Sequence, residues 1–194
     1  AFRGEGLGGT EYPAGVQLNN SGITFGQNGA ADTYKFGTSH QIRLIEPWSI
    51  RLNVLMLDVA ADALVDYNAA NVNYGVIFFH DKTGKYNGTM TAAQLKAEAD
   101  AKVYSKLNGN AAINAGGVTA VYDQDIFTYD LDTELYCLPY IVIDGAYYYP
   151  STVSCWNLLT EINEFAADES LDPKETAVFD AMLAMYTNVQ NHNG

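Results

Sequence analysis

The sequence predicts an α+β domain: a mainly antiparallel β-sheet with about three packed α-helices, preceded by Gly-rich strands or an arm. Three observations predict it. Short runs of alternating apolar residues recur around 42–57, 72–80 and 133–150, the pattern of half-buried strands. Asp144-Gly145 separates two apolar runs, as in a tight hairpin. Helix-start signals precede apolar residues at helical spacing near Thr91, near Ser151 or Ser154, and at Asp172-Pro173.

Residues 1–40 hold nine of the 17 glycines. Short runs at Val16–Leu18, Ile23–Phe25 and Tyr34–Phe36 are punctuated by Asn-Asn-Ser-Gly and Gly-Gln-Asn-Gly, so we expect small strands with tight turns, or an arm. Residues 41–194 are expected to form a single α+β domain. Within 41–58, Ile50, Leu52, Val54 and Met56 share one face, and Pro47 implies two strands with a bend or an edge position. Val72–Phe79 reads as a strand in which Gly75 marks a bulge or a close backbone approach. His80-Asp81-Lys82-Thr83-Gly84 reads as a turn.

Thr91 and Gln94 have capping-box spacing, and Leu95, Ala99, Val103 and Leu107 follow at intervals of four. This predicts an amphipathic helix ending at Gly109. The Asp144-Gly145 turn sets the hairpin register, pairing Ile143 with Ala146 and Ile141 with Tyr148. One face then carries Leu138, Tyr140, Val142, Tyr147 and Tyr149, and the other Cys137, Pro139, Ile141, Ile143 and Tyr148. A helix capped by Ser151 or Ser154 presents Leu158, Leu159, Ile162 and Phe165. A last helix starts at Asp172-Pro173 and presents Val178, Met182, Met185, Tyr186 and Val189, before a frayed tail from Asn191.

The chain has 10 Lys and Arg against 23 Asp and Glu, a formal charge of −13. Nucleic acid is therefore disfavoured as a partner, because phosphate binding needs cationic side chains that displace counterions. No run of 18 apolar residues occurs, so membrane insertion is not expected. Between Lys106 and Lys174 there is no base, and eleven acids fall in that stretch. A solvated acidic surface is the ordinary outcome of such a run. Asp130, Asp132 and Glu134 would share a face if extended and, with Asp123 and Asp125, are the candidates for a Ca²⁺ site; no other cofactor is expected. The EF-hand pattern is absent there, since Phe127 takes its fifth position. Cys137 and Cys155 are either two buried thiols or a disulfide pair.

Gln41–Met56, Tyr74-Gly75-Val76-Ile77, Glu134–Ile143 with Tyr147–Tyr149, and Ser151–Phe165 together resemble a repeated domain of secreted and wall-anchored proteins of Gram-positive gut anaerobes. The resemblance implies an extracellular or cell-surface location and a non-catalytic role in adhesion, spacing or ligand presentation, with a glycan or another protein module as partner. The opening Ala1-Phe2-Arg3, without initiator Met, is read as removal of a leading segment.

The histidines, His40, His80 and His192, form no zinc-hydrolase motif, and there is no GxSxG elbow, P-loop or Rossmann fingerprint. His80 beside Asp81 is an oriented base in one reading and a strand-to-turn junction in the other. Nine aromatics between 122 and 156 give a second expectation: a carbohydrate-binding band of Tyr140, Tyr147, Tyr149 and Trp156. A third is a glycan hydrolase using a pair of the second-half acids.

Overall fold

The computed structural model describes residues 24–27, 34–43, 49–58, 65–106, 110–114, 117–125, 130–150 and 152–193. They form an α+β fold: a ten-stranded antiparallel sheet and three helices. In chain order these are β1 (Thr24–Gln27), β2 (Tyr34–Arg43), β3 (Ser49–Asp58), β4 (Val72–Asp81), α1 (Ala92–Ala97), β5 (Lys102–Ser105), β6 (Asn110–Asn114), β7 (Gly117–Asp125), β8 (Glu134–Ile143), β9 (Ala146–Pro150), β10 (Ser154–Asn157), α2 (Leu158–Ala166) and α3 (Pro173–Asn193). The strand order is β5-β4-β8-β9-β1-β2-β3-β7-β6, and β10 also pairs with β8. Val16–Leu18, Pro47 and Ser151 lie outside the described residues.

Two hairpins dominate. β2 and β3 pair without interruption from Tyr34 with Asp58 to Arg43 with Ser49. β8 and β9 pair in the expected register, Ile141 with Tyr148 and Ile143 with Ala146. Asp144 and Gly145 have φ of 51° and 79°, the left-handed pair that a type I′ turn requires. β8 pairs with β4 along its whole length and divides its other edge between β10 at 134–137 and β9 at 141–143. Pro139, with no N–H to donate, falls in the gap between those two partners.

The sheet curls so that one face encloses the main core. Ile50, Leu52, Val54 and Met56 of β3 meet Val72, Tyr74, Val76 and Phe78 of β4 and Leu135, Cys137 and Ile141 of β8 in one buried cluster. Helix α2 buries Leu158, Ile162 and Phe165 into it, one stripe at helical spacing. Phe165 stacks on Phe179 of α3 at 4.9 Å. Burying each such side chain contributes about 1.5–3 kcal/mol. On the other face of β4 and β8, Leu95 and Ala92 of α1 cover Ile77, Phe79, Tyr136, Leu138, Tyr140 and Tyr149.

Three local expectations are corrected. The capping box at Thr91 and Gln94 forms, but the helix stops at Ala97 instead of reaching Gly109. Val103 lies in β5, where Lys102–Ser105 pair with Gly75–Phe78, and its side chain is 60% exposed. Pairing on the edge of β4 satisfies the backbone there and suits the β-forming Val103 and Tyr104. Secondly, Ser154 does not cap a helix: residues 154–157 pair with β8, and Asn157 is the cap, its Oδ1 accepting from the Thr160 N–H. Finally, α3 buries Phe179 and Met182, whereas Met185 is half exposed and the helix continues through Asn191 to Asn193.

Gly75 is a close approach. A Cβ there would stand 1.7 Å from the Tyr104 carbonyl oxygen and 2.7 Å from the Tyr140 hydroxyl. Both cysteines are free. Cys137 lies opposite Ser154 and Cys155 opposite Tyr136, so the thiols project from opposite faces of the sheet and cannot bridge. Burial pushes both thiols up, that of Cys155 to about 12.

Candidate functional site

A cleft of about 390 Å³ opens where β4 ends. Its walls come from the end of β4 and the following turn (His80, Lys82, Thr83, Lys85), from the segment joining α1 to β5 and the start of β5 (Glu98, Asp100, Lys102), and from Asp125 and Asp130. Phe78 and Phe79 also line it.

The turn is built by Asp81. Its buried carboxylate accepts from the backbone N–H groups of Thr83, Lys85 and Tyr86 and from the Thr83 hydroxyl. Burial alone would raise its pKa, but these four donors outweigh it and hold the carboxyl below the usual range. Asp81 thus aims Lys82 and Lys85 at the cleft. Lys82 Nζ donates to Asp130 Oδ2 at 3.0 Å, and Lys85 Nζ donates to Glu98 Oε1 at 2.7 Å. The Tyr86 hydroxyl also donates to Glu98 Oε1. Lys85 and Tyr86 hold the Glu98 carboxyl below its ordinary pKa.

His80 Nε2 contacts the Asp130 carbonyl at 3.1 Å and the Thr133 hydroxyl. A carbonyl only accepts, so Nε2 carries the proton. The Thr133 hydroxyl itself donates to the same carbonyl at 2.6 Å. His80 Nδ1 lies 4.0 Å from Asp130 Oδ2. Burial lowers the His80 pKa below its usual value despite the Asp130 charge. Of the two readings of His80-Asp81, the junction matches: Asp81 is not bonded to His80 but organises the turn beyond it.

The five candidate Ca²⁺ ligands do not converge. Asp123 forms a two-pronged bond with Arg51 at 2.8 and 3.1 Å. Asp125 reaches the cleft from the end of β7. Asp130 and Asp132 lie in a turn, not on an extended strand, so the alternation that was to place them with Glu134 on one face does not exist. Asp130 is buried and paired with Lys82; Asp132 accepts from the Tyr186 hydroxyl at 2.7 Å; Glu134 accepts from the Cys155 thiol at 2.8 Å. Among the described residues, no group of three or more His, Cys, Asp or Glu is placed to hold a metal ion.

The aromatic band is mostly turned inward. Tyr140 and Tyr149 are buried under α1, and the Tyr140 hydroxyl donates to the Tyr104 carbonyl. Tyr147 is 42% exposed, but Lys96 Nζ lies 4.9 Å from its ring centre and 4.8 Å from that of Tyr149. Trp156 is half-buried, 4.3 Å from the buried His40 ring. His40 Nε2 donates to Glu161 Oε2 at 2.6 Å, tying β2 to α2.

Sequence reasoning identified two members of this cleft as acids and placed His80, Lys82 and Thr83 in a turn, but missed Lys85, Lys102 and the Glu98–Asp100 wall. A signal existed: four of the seven lysines of this acidic chain fall between residues 82 and 102. Among the described residues no helix is long and apolar enough to cross a membrane. The chain matches no family model, no curated protein and no solved structure.

Proposed function

We propose that this chain is a non-catalytic module of a secreted or cell-surface protein, serving adhesion, spacing or ligand presentation. One observation carries this reading: His80, Lys82, Lys85, Glu98 and Asp130 of the cleft are engaged in holding its walls. A general base needs a lone pair presented to the substrate. His80 directs its Nε2 proton to the Asp130 carbonyl and its basic Nδ1 toward the Asp130 side chain, 4.0 Å from Oδ2, and the Asp130 and Glu98 carboxylates hold Lys82 and Lys85. An acidic module gains nothing from charge on an anionic wall, so covalent linkage within a longer polypeptide is the fitting tether.

The test is incubation of the purified chain with oligosaccharides and peptides, followed by mass spectrometry. The reading expects intact material, and expects Asp130→Asn to alter melting alone. Turnover abolished by His80→Ala or Asp130→Asn overturns it in favour of a hydrolase. A second reading, glycan recognition, is favoured by the cleft more than by the Tyr and Trp band, since two of the four band residues are buried.

A further inference from the structure

We propose that the cleft at the end of β4 binds a neutral, multiply hydroxylated ligand, a terminal sugar unit of a glycan. This rests on the reading of the chain as a ligand-presenting module. Three of the chain's seven lysines line the cleft, together with four carboxylates. With His80 neutral these groups sum to about −1, so neither a phosphate nor a cationic chain gains much by entering.

What the cleft does offer is a dense alternation of donors and acceptors. An ammonium has three donors and a carboxylate about four acceptor positions. Lys85 and Tyr86 both bond Glu98 through Oε1, which leaves the lone pairs of Oε2. Lys102 and Asp100 are exposed on the wall, and no other side chain among the described residues engages either. A hydroxyl donates and accepts at once, so vicinal hydroxyls match such neighbours. The volume falls at the lower end of the range of about 300–1,000 Å³ for small-molecule pockets, which suits a chain terminus more than a polymer face.

The experiment titrates the intact chain with glucose, galactose, mannose, N-acetylglucosamine and their disaccharides by amide NMR, with glutamate and inorganic phosphate as charged comparators. Saturable binding of at least one neutral sugar is expected, with shifts at the amides of Lys82, Asp100 and Lys102. Lys102→Ala and Asp100→Asn should each weaken it about tenfold with melting unchanged, since each removes hydrogen bonds to a charged group on an exposed wall. Tyr147→Ala should leave binding intact. Absence of saturable sugar binding, preference for phosphate or glutamate, or binding lost in Tyr147→Ala but kept in the cleft variants would each overturn the proposal. Cleavage of a bound sugar with the cleft variants still weakening binding would uphold the site and sink the non-catalytic reading instead.

Discussion

His40–Glu161 and His80–Asp130 are two histidine–carboxylate pairs of nearly the same composition, placed in opposite settings. His40 projects from the middle of β2 beneath α2 and Trp156, with 2% of its side chain exposed. His80 lies one residue before the end of β4, at the lip of an open cleft. In the first pair the ring donates directly to the carboxylate; in the second it donates to the carbonyl of the acidic residue, whose carboxylate is turned to Lys82. The difference lies at the histidine and the lysine, not at the acid: the His40 side chain is 2% exposed and that of His80 16%, Asp130 is more buried than Glu161, and Lys82, the other partner of Asp130, is more than half exposed at the cleft. A buried pair fixes how two elements dock, whereas an open one leaves polar groups within reach of a ligand.

The largest expected effect removes the wall of the open site. Gly75→Ala places a methyl group against the Tyr104 carbonyl, so β5 must move off β4. We expect a loss of about 3 kcal/mol or more in urea unfolding, since backbone cannot yield as a flexible side chain can. Amides 102–105 should lose hydrogen-exchange protection while those of β2 keep theirs. Equal loss in both regions would mean that the two regions open together.

His40→Ala should come next, at about 2–3 kcal/mol, because it strands Glu161 at a largely buried position and empties the space against Trp156. Sugar binding should survive in the folded variant. Asp130→Asn should cost less, about 1 kcal/mol, because the amide keeps the buried volume and the partner it releases, Lys82, is more than half exposed to water. Equal costs for the two variants, measured in the same unfolding series, would remove the contrast between buried and open pairs.

The smallest effect is one of pH. The His80 pKa is lowered in the fold by burial, so the unfolded chain binds the proton first as pH falls. The stability that neutral His80 contributes is complete above the unfolded value of about 6.5 and declines as pH drops from there toward the folded value. His80→Gln should flatten that part of the stability curve. An unchanged slope just below about pH 6.5 would assign it to other groups.

Much of the fold was legible because local rules agreed with the tertiary result. The hairpin at Asp144-Gly145 requires two positive φ angles, and its register then dictates which tyrosines share a face. The Asp172-Pro173 helix start and the crowding at Gly75 were equally readable, since each depends on a residue's own backbone chemistry. The segment after Ala97 was not readable. Its spacing fits a helix, yet the free edge of β4 offered it a ladder that no local pattern encodes.

The candidate site divides in the same way. The sequence by itself determined the acidity, the lysine-rich interval after His80, and the strands and turns that carry these residues. Only the tertiary structure decided which groups meet: that Asp130 closes on Lys82 across 48 residues, that Asp132 and Glu134 part company, and that Tyr140 and Tyr149 vanish beneath α1. The reason is physical. Turn and strand preferences act over a few residues, whereas ion pairing and burial are settled by neighbours that sheet pairing brings from far along the chain.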